Sequence, residues 1–183
     1  MKVYSTPISD LVLAEGQTFK DERGAFARLF CQQELSTIIG NRRIVQINHS
    51  YTQAIGAVRG LHFQRAPHAE MKLVKCLRGK VWDVAVDLRS NSYTYKQWYA
   101  QQLSPQNGYM MVIPEGFAHG FQVLEEGSEL LYLHTAFYNP EFEDGVRYDD
   151  PELGVTWPLT VTDISRRDGS QPYMAPSFMG IDL

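Results

Sequence analysis

Between residues 81 and 88 the chain reads VWDVAVDL, and apolar and acidic side chains alternate along it. In an extended strand, successive side chains point to opposite faces. Trp82, Val84, Val86 and Leu88 therefore share one face, and Asp83 and Asp87 the other, which predicts a strand half buried on a sheet. Similar short runs predict strands at 43–48, 58–64, 72–77, 109–113 and 129–138. Gly, Pro and Asn interrupt these runs about every ten residues, the spacing of an all-β barrel or sandwich. Helical periodicity is weak. Its best instance is 33–39, where Leu35, Ile38 and Ile39 fall on one side and Gly40 stops the turn. No repeat, low-complexity stretch or Ser/Gly/Pro-rich linker divides the chain, so residues 1–183 are expected to form one domain, all-β with minor short helices.

Composition narrows the partners. Seventeen Lys and Arg against 21 Asp and Glu give a formal charge of −4, with no long basic run, so nucleic-acid binding is not expected. Hydrophobic residues make up 44% of the chain, enough for a substantial core. No apolar run approaches the ~18 residues that span a membrane, and the first residues lack the apolar segment of a signal peptide. The two cysteines, Cys31 and Cys76, supply neither a disulfide framework nor a paired metal motif. The expectation is a cytoplasmic protein with no membrane partner.

Alternation also groups chemistry. On 58–64, His62 shares a face with Gly60 and Gln64, while Arg59 is expected on the opposite face. On 72–76, Lys72, Val74 and Cys76 lie together; on 129–134, Leu130, Tyr132 and His134 lie together. A barrel interior receiving His62, Lys72 and Tyr132 holds a base, a cation and a phenol acid.

Two spaced patterns point to a fold. Gly56, His62, Gln64, Glu70 and Gly79 form the first, and Pro114, Gly116 and His119, in PEGFAH, form the second. Together they resemble the two motifs of the cupin superfamily, a jelly roll or double-stranded β-helix. Metal-binding cupins carry two His separated by one residue in the first motif. Here that pair reads His62-Phe63-Gln64, so His62, Glu70 and His119 are one ligand short and a metal-free barrel is expected. A metal-dependent cupin oxygenase is the competing enzyme reading.

Longer stretches resemble the dTDP-4-dehydrorhamnose 3,5-epimerase family. These are DERG at 21–24, QINHS at 46–50, RGLHFQ at 59–64, KLVKCLRGKVWDVAVDLRSNS at 72–92, WYAQQLSPQN at 98–107, IPEGFAHGFQVL at 113–124, DDPELGVTWP at 149–158 and ISRRD at 164–168. The similarity runs in order over roughly residues 3–176. It implies a cofactor-independent isomerase acting on a nucleotide-linked 4-keto-6-deoxyhexose. Removing the proton at C3 or C5, each beside the C4 ketone, gives an enolate, and reprotonation from the other side inverts the carbon. By resemblance His62 is the base, Asp168 orients it, Tyr132 is the acid and Lys72 stabilises the enolate oxygen. An imidazole with an ordinary pKa of about 6.5 suits neutral pH. Arg23, Arg59, His119 and Arg167 match contacts to the diphosphate and sugar, and Gln46, Asn48 and Glu143 match other binding positions. The resemblance also implies a homodimer in which an N-terminal strand joins the partner's sheet and both chains contribute to the nucleotide site.

Several positions depart from the family. Arg28 stands where an acceptor Glu is common; a donor there favours cytosine, whose N3 and O2 both accept, and so a CDP-linked substrate. Around Tyr132 the sequence has Leu133, His134 and Ala136, and Met71 precedes Lys72. These changes leave single-carbon epimerisation and 3,4-ketoisomerisation as alternatives to double inversion. A non-catalytic sugar-binding cupin is the remaining reading from another class.

Overall fold

The structure is a computed structural model describing residues 1–183. Thirteen strands and two single-turn helices follow in order. They are β1 (Lys2–Ser5), β2 (Val12–Glu15), β3 (Thr18–Asp21), β4 (Gly24–Ala27), α1 (Ser36–Ile39), β5 (Gln46–Thr52), β6 (Val58–Gln64), β7 (Lys72–Arg78) and β8 (Val81–Asp87). Then come β9 (Trp98–Leu103), β10 (Tyr109–Ile113), β11 (Phe117–Val123), β12 (Ser128–His134), β13 (Glu143–Gly145) and α2 (Arg166–Gly169). One sheet has the order β1-β2-β10-β7-β12-β5 and the other β13-β6-β11-β8-β9, while β3 and β4 form a separate hairpin. Pairing within the sheets is antiparallel. The all-β jelly-roll expectation holds.

The two sheets face one another across an apolar filling that includes Val74, Cys76, Leu130, Ala85, Phe121 and Val123. Along β7 the inward positions change from Cys76 and Val74 to Lys72, and along β12 from Leu130 to Tyr132 and His134. One end of the sandwich is thus sealed by apolar packing and the other opens into a polar cavity. The outer face of the five-stranded sheet is covered by the C-terminal segment through Leu153, Met174 and Ile181. Leu35, just before α1, and Ile39 within it pack, fully buried, over the six-stranded sheet.

Strands β6 and β10 coincide with the expected 58–64 and 109–113 runs, and others shift at their ends. The run expected at 43–48 begins as a strand only at Gln46, that expected at 129–138 ends at His134, and the helix expected over 33–39 is regular only from Ser36. The half-buried reading of β8 is corrected more substantially, because Asp83 and Asp87 are both 0% exposed. Asp87 accepts from Arg89, Ser92 and Thr94, and Asp83 is bonded to His119. Buried carboxylates persist only with such partners.

A second correction concerns Arg59. Strand β6 pairs with β11 as His119↔His62 and Phe121↔Arg59, so two residues of β6 oppose one of β11. This bulge inserts one residue between Arg59 and His62 and brings Arg59 round to the cavity, against the simple alternation expected from the sequence. Glycine permits it: Gly60 has φ +121, and a Cβ there would lie 2.6 Å from the Gly120 Cα and 2.7 Å from the His119 carbonyl oxygen.

Candidate active site

The cavity at the open end has a volume of about 330 Å³. Gln46, Asn48 and Ser50 on β5, Lys72 on β7 and Tyr132 and His134 on β12 come to it from one sheet; Arg59, His62, His119 and Glu143 come from the other. A neighbouring hollow of about 350 Å³ shares Arg59 and His62 and adds Arg167 and Asp168. A larger hollow of about 560 Å³ beside Met1 and Asn107 contains no imidazole among its lining residues.

His62 lies within 2.8 Å of Asp168, measured from its Nε2 to the carboxylate Oδ1. Asp168 also accepts the Gly60 backbone N–H at 3.1 Å. It sits on α2, where Ser165 caps the turn by accepting the Asp168 N–H. Burial raises the carboxyl's pKa, but the opposing effects of His62, Gly60 and Ser165 leave it below the ordinary value. Asp168 is thus an ionised acceptor, the proton of His62 is on Nε2, and Nδ1 carries the free basic lone pair.

Tyr132 stands on the facing sheet. Burial pushes its phenol well above the ordinary value, with Ser50 Oγ at 3.3 Å as its hydrogen-bond partner. The ring meets His119 edge-on at 6.1 Å and stacks on His134 with 17° between the planes. His119 Nε2 lies 2.8 Å from Asp83 Oδ1, and complete burial pushes the Asp83 carboxyl up. Lys72 Nζ donates to the His62 carbonyl at 3.3 Å and lies 3.3 Å from Glu70. At the rim, Arg167 pairs with Glu143 at 2.7 Å, and the Tyr138 hydroxyl donates to the same carboxylate at 2.6 Å. The Arg167 guanidinium and the Tyr138 hydroxyl are chief among the influences that hold the Glu143 carboxyl below its ordinary value against burial.

Of the residues singled out from the sequence, His62, Tyr132, Lys72, Gln46, Asn48, Arg59, His119 and Glu143 line the cavity, and Asp168 and Arg167 line its neighbour. Arg23 and Arg28 do not. Arg23 is at the tip of the β3–β4 hairpin, 90% exposed and paired with Asp21. Arg28 is paired with Glu34. Sequence reasoning missed Ser50, Asp83 and Tyr138, and gave Glu70 only a place in a metal motif. Ser50 shares the alternation of Asn48, a signal present in the sequence; Asp83 lay on the face read as turned to solvent, and Tyr138 closed the run expected at 129–138 on the side of Tyr132 and His134, although β12 itself ends at His134. The three cupin-motif side chains are each committed elsewhere, His62 to Asp168, His119 to Asp83 and Glu70 to His134 and Lys72.

The profile of the dTDP-4-dehydrorhamnose 3,5-epimerase family matches residues 5–176. The chain belongs to this family. Among curated members it is 42% identical over 176 residues to the dTDP-4-dehydrorhamnose 3,5-epimerase of Salmonella typhimurium, covering 95% of this chain and 96% of that one. Against the Pseudomonas aeruginosa member it is 45% identical over 160 residues, 87% of each chain. Among solved structures, the Bacillus anthracis epimerase with TDP and PPi bound superposes with a TM-score of 0.91 at 38% identity, covering 94% of this chain and 99% of that one. The Legionella pneumophila 3,5-epimerase in complex with dTDP-4-keto-L-rhamnose gives 0.88 at 39% identity, covering 93% and 90%. The chain is therefore an epimerase-family isomerase with the cupin-type jelly roll of that family.

Proposed function

We propose that this chain inverts C3 and C5 of dTDP-4-keto-6-deoxyglucose without a cofactor, working in the cytoplasm. The observation that carries the reading is His62 on one sheet, backed by Asp168 of α2, facing Tyr132 on the other sheet across a single cavity. His62 Nδ1 takes the proton from the carbon beside the ketone, and Asp168 stabilises the imidazolium formed. The electron pair moves onto the C4 oxygen, where the Lys72 ammonium opposes the developing charge. Tyr132, held protonated by burial, gives its proton to the other face of the same carbon. A proton then passes from the imidazolium back to the phenolate through solvent, and the cycle repeats at the second carbon.

Arg59 and Arg167 bracket His62 and suit a diphosphate, which guanidinium groups bind bidentately. His119, Gln46, Asn48 and Glu143 then serve the sugar and nucleotide. A second copy of the chain is proposed to cover the exposed β3–β4 hairpin, where Phe26 is 72% exposed, and the outer side of β5. Such a homodimer carries Arg23 to the partner's nucleotide site. Arg28 is paired with Glu34 outside the cavity, and the solved relatives hold TDP or a dTDP-sugar, so dTDP is the nucleotide proposed. Calorimetry comparing dTDP with CDP tests this, and a clear CDP preference would overturn it.

A single-carbon reading has one specific support. The 3'-monoepimerase of Streptomyces bikiniensis, in complex with dTDP-quinovose, shares the fold with a TM-score of 0.85 at 28% identity, covering 91% of this chain and 85% of that one. NMR of the product formed from dTDP-4-keto-6-deoxyglucose decides between them. Inversion at both carbons supports the proposal; inversion at one alone replaces it.

A further inference from the structure

The proton transfers assigned above leave one cavity carboxylate without a task. Glu70 lies just before β7 with its side chain only 7% exposed, and its two oxygens serve different partners. Oε1 is 3.3 Å from the Lys72 ammonium, and Oε2 accepts the Nδ1–H of His134 at 2.7 Å. Burial works to raise the carboxyl's pKa, but His134 and Lys72 outweigh it and hold the group ionised. A carboxylate only accepts, so the neutral ring has its proton on Nδ1 and its lone pair on Nε2. That assignment fits the next neighbour, since Asn48 Nδ2 approaches His134 Nε2 at 3.4 Å.

Both partners of Glu70 touch the reaction. Lys72 is the cation proposed for the enolate oxygen. His134 lies beside the Tyr132 ring, nearly parallel to it, with 6.1 Å between the ring centroids. In the β7–β12 register, His134 is directly opposite Lys72, and Tyr132 opposite Val74, so the carboxylate bridges two strands at the level of the chemistry. A lysine stem and an imidazole each have several rotamers, and a charge that fixes both removes that freedom before substrate arrives.

We propose that Glu70 is a positioning residue that sets the Lys72 cation and, through the Nδ1–H tautomer of His134, the Tyr132 ring, so that enolate stabiliser and acid are registered by one carboxylate. This rests on the epimerase reading and adds to it a group that makes no contact with the reacting atoms.

A double-mutant cycle in the full-length protein tests it, with Glu70→Gln made alone and in a Lys72→Met background. The substitution to Gln keeps the shape and removes the charge. In the otherwise native protein, kcat is expected to fall about 10–100-fold, the loss typical of removing a partner that orients a functional group, with KM changed less than about twofold. In the Lys72→Met background the further loss is expected to be smaller than in the native one, because only the arm through His134 to Tyr132 remains. Equal losses in both backgrounds, or a loss entirely in KM, would overturn the proposal. If Glu70→Gln does not fold, Glu70→Asp, which keeps the charge one methylene short, takes its place in the same cycle. In the resting wild type, 15N NMR of histidine-labelled protein is expected to show His134 as the Nδ1–H tautomer; an Nε2–H tautomer overturns the assignment without any reference to turnover. Wild-type turnover separates the two possible failures. Its absence overturns the epimerase reading and this proposal together, whereas additivity in an active wild type overturns this proposal alone.

Discussion

His62, which lines the cavity shared with Tyr132, donates through Nε2 to Asp168, 106 positions further along the chain, over 2.8 Å, and so keeps its lone pair on Nδ1. The bond fixes a tautomer and places a negative charge where the imidazolium forms. Asp168→Asn removes the charge and lets the side-chain amide present either a donor or an acceptor. Steady-state kinetics are expected to show kcat reduced by about 10²–10⁴-fold with little change in KM, the pattern of an interaction made in the transition state.

Acid sensitivity follows from the same carboxylate and from Glu70. Both have pKa values below ordinary in the folded state. Each contributes stability that is present above its unfolded value, about 3.9 for Asp and 4.3 for Glu, and that is lost as pH falls through the folded value. Asp83 acts in the opposite sense, because its raised pKa makes ionisation unfavourable to the fold. Thermal melting followed from pH 7 downward is expected to fall most steeply below about pH 4, and the Asp168→Asn variant to show a shallower acid limb.

Gly60→Ala tests the bulge. A methyl group there meets backbone at 2.6 and 2.7 Å, on a residue with φ +121, so β6 must move away from β11. The expected cost is about 1–3 kcal/mol or more in denaturant unfolding. KM should also rise, because displacing β6 moves Arg59 and His62 relative to the cavity.

Much of this arrangement was legible in the sequence, and the omissions have physical causes. Alternation alone placed Lys72, Tyr132 and His134 inward, because β7 and β12 are regular over those positions. It misplaced Arg59 because a bulge breaks the period of two, and nothing within RGLHFQ states which partner strand imposes it. It read Asp83 and Asp87 as solvent-facing because a carboxylate without visible partners belongs in water. Their partners, His119 from β11 and Arg89 with its neighbours, are supplied by the fold. Arg23 and Arg28 were assigned by motif, and a motif does not say whether a side chain reaches its own cavity or a second chain's. Glu70 was taken with the metal motif because its sequence neighbours suggested one, whereas its binding partner His134 lies 64 positions away.

The most direct measurement is solvent deuterium uptake at C3 and C5 of dTDP-4-keto-6-deoxyglucose, read by NMR in D2O for the wild type, His62→Ala and Tyr132→Phe. A base on one wall and an acid on the other predict uptake with inversion in the wild type. They predict uptake with retained configuration in Tyr132→Phe, where His62 takes and returns the proton on one face, and none above background in His62→Ala. Uptake in His62→Ala at the wild-type rate, or inversion at the wild-type rate in Tyr132→Phe, would contradict the assignment of base and acid to these two residues.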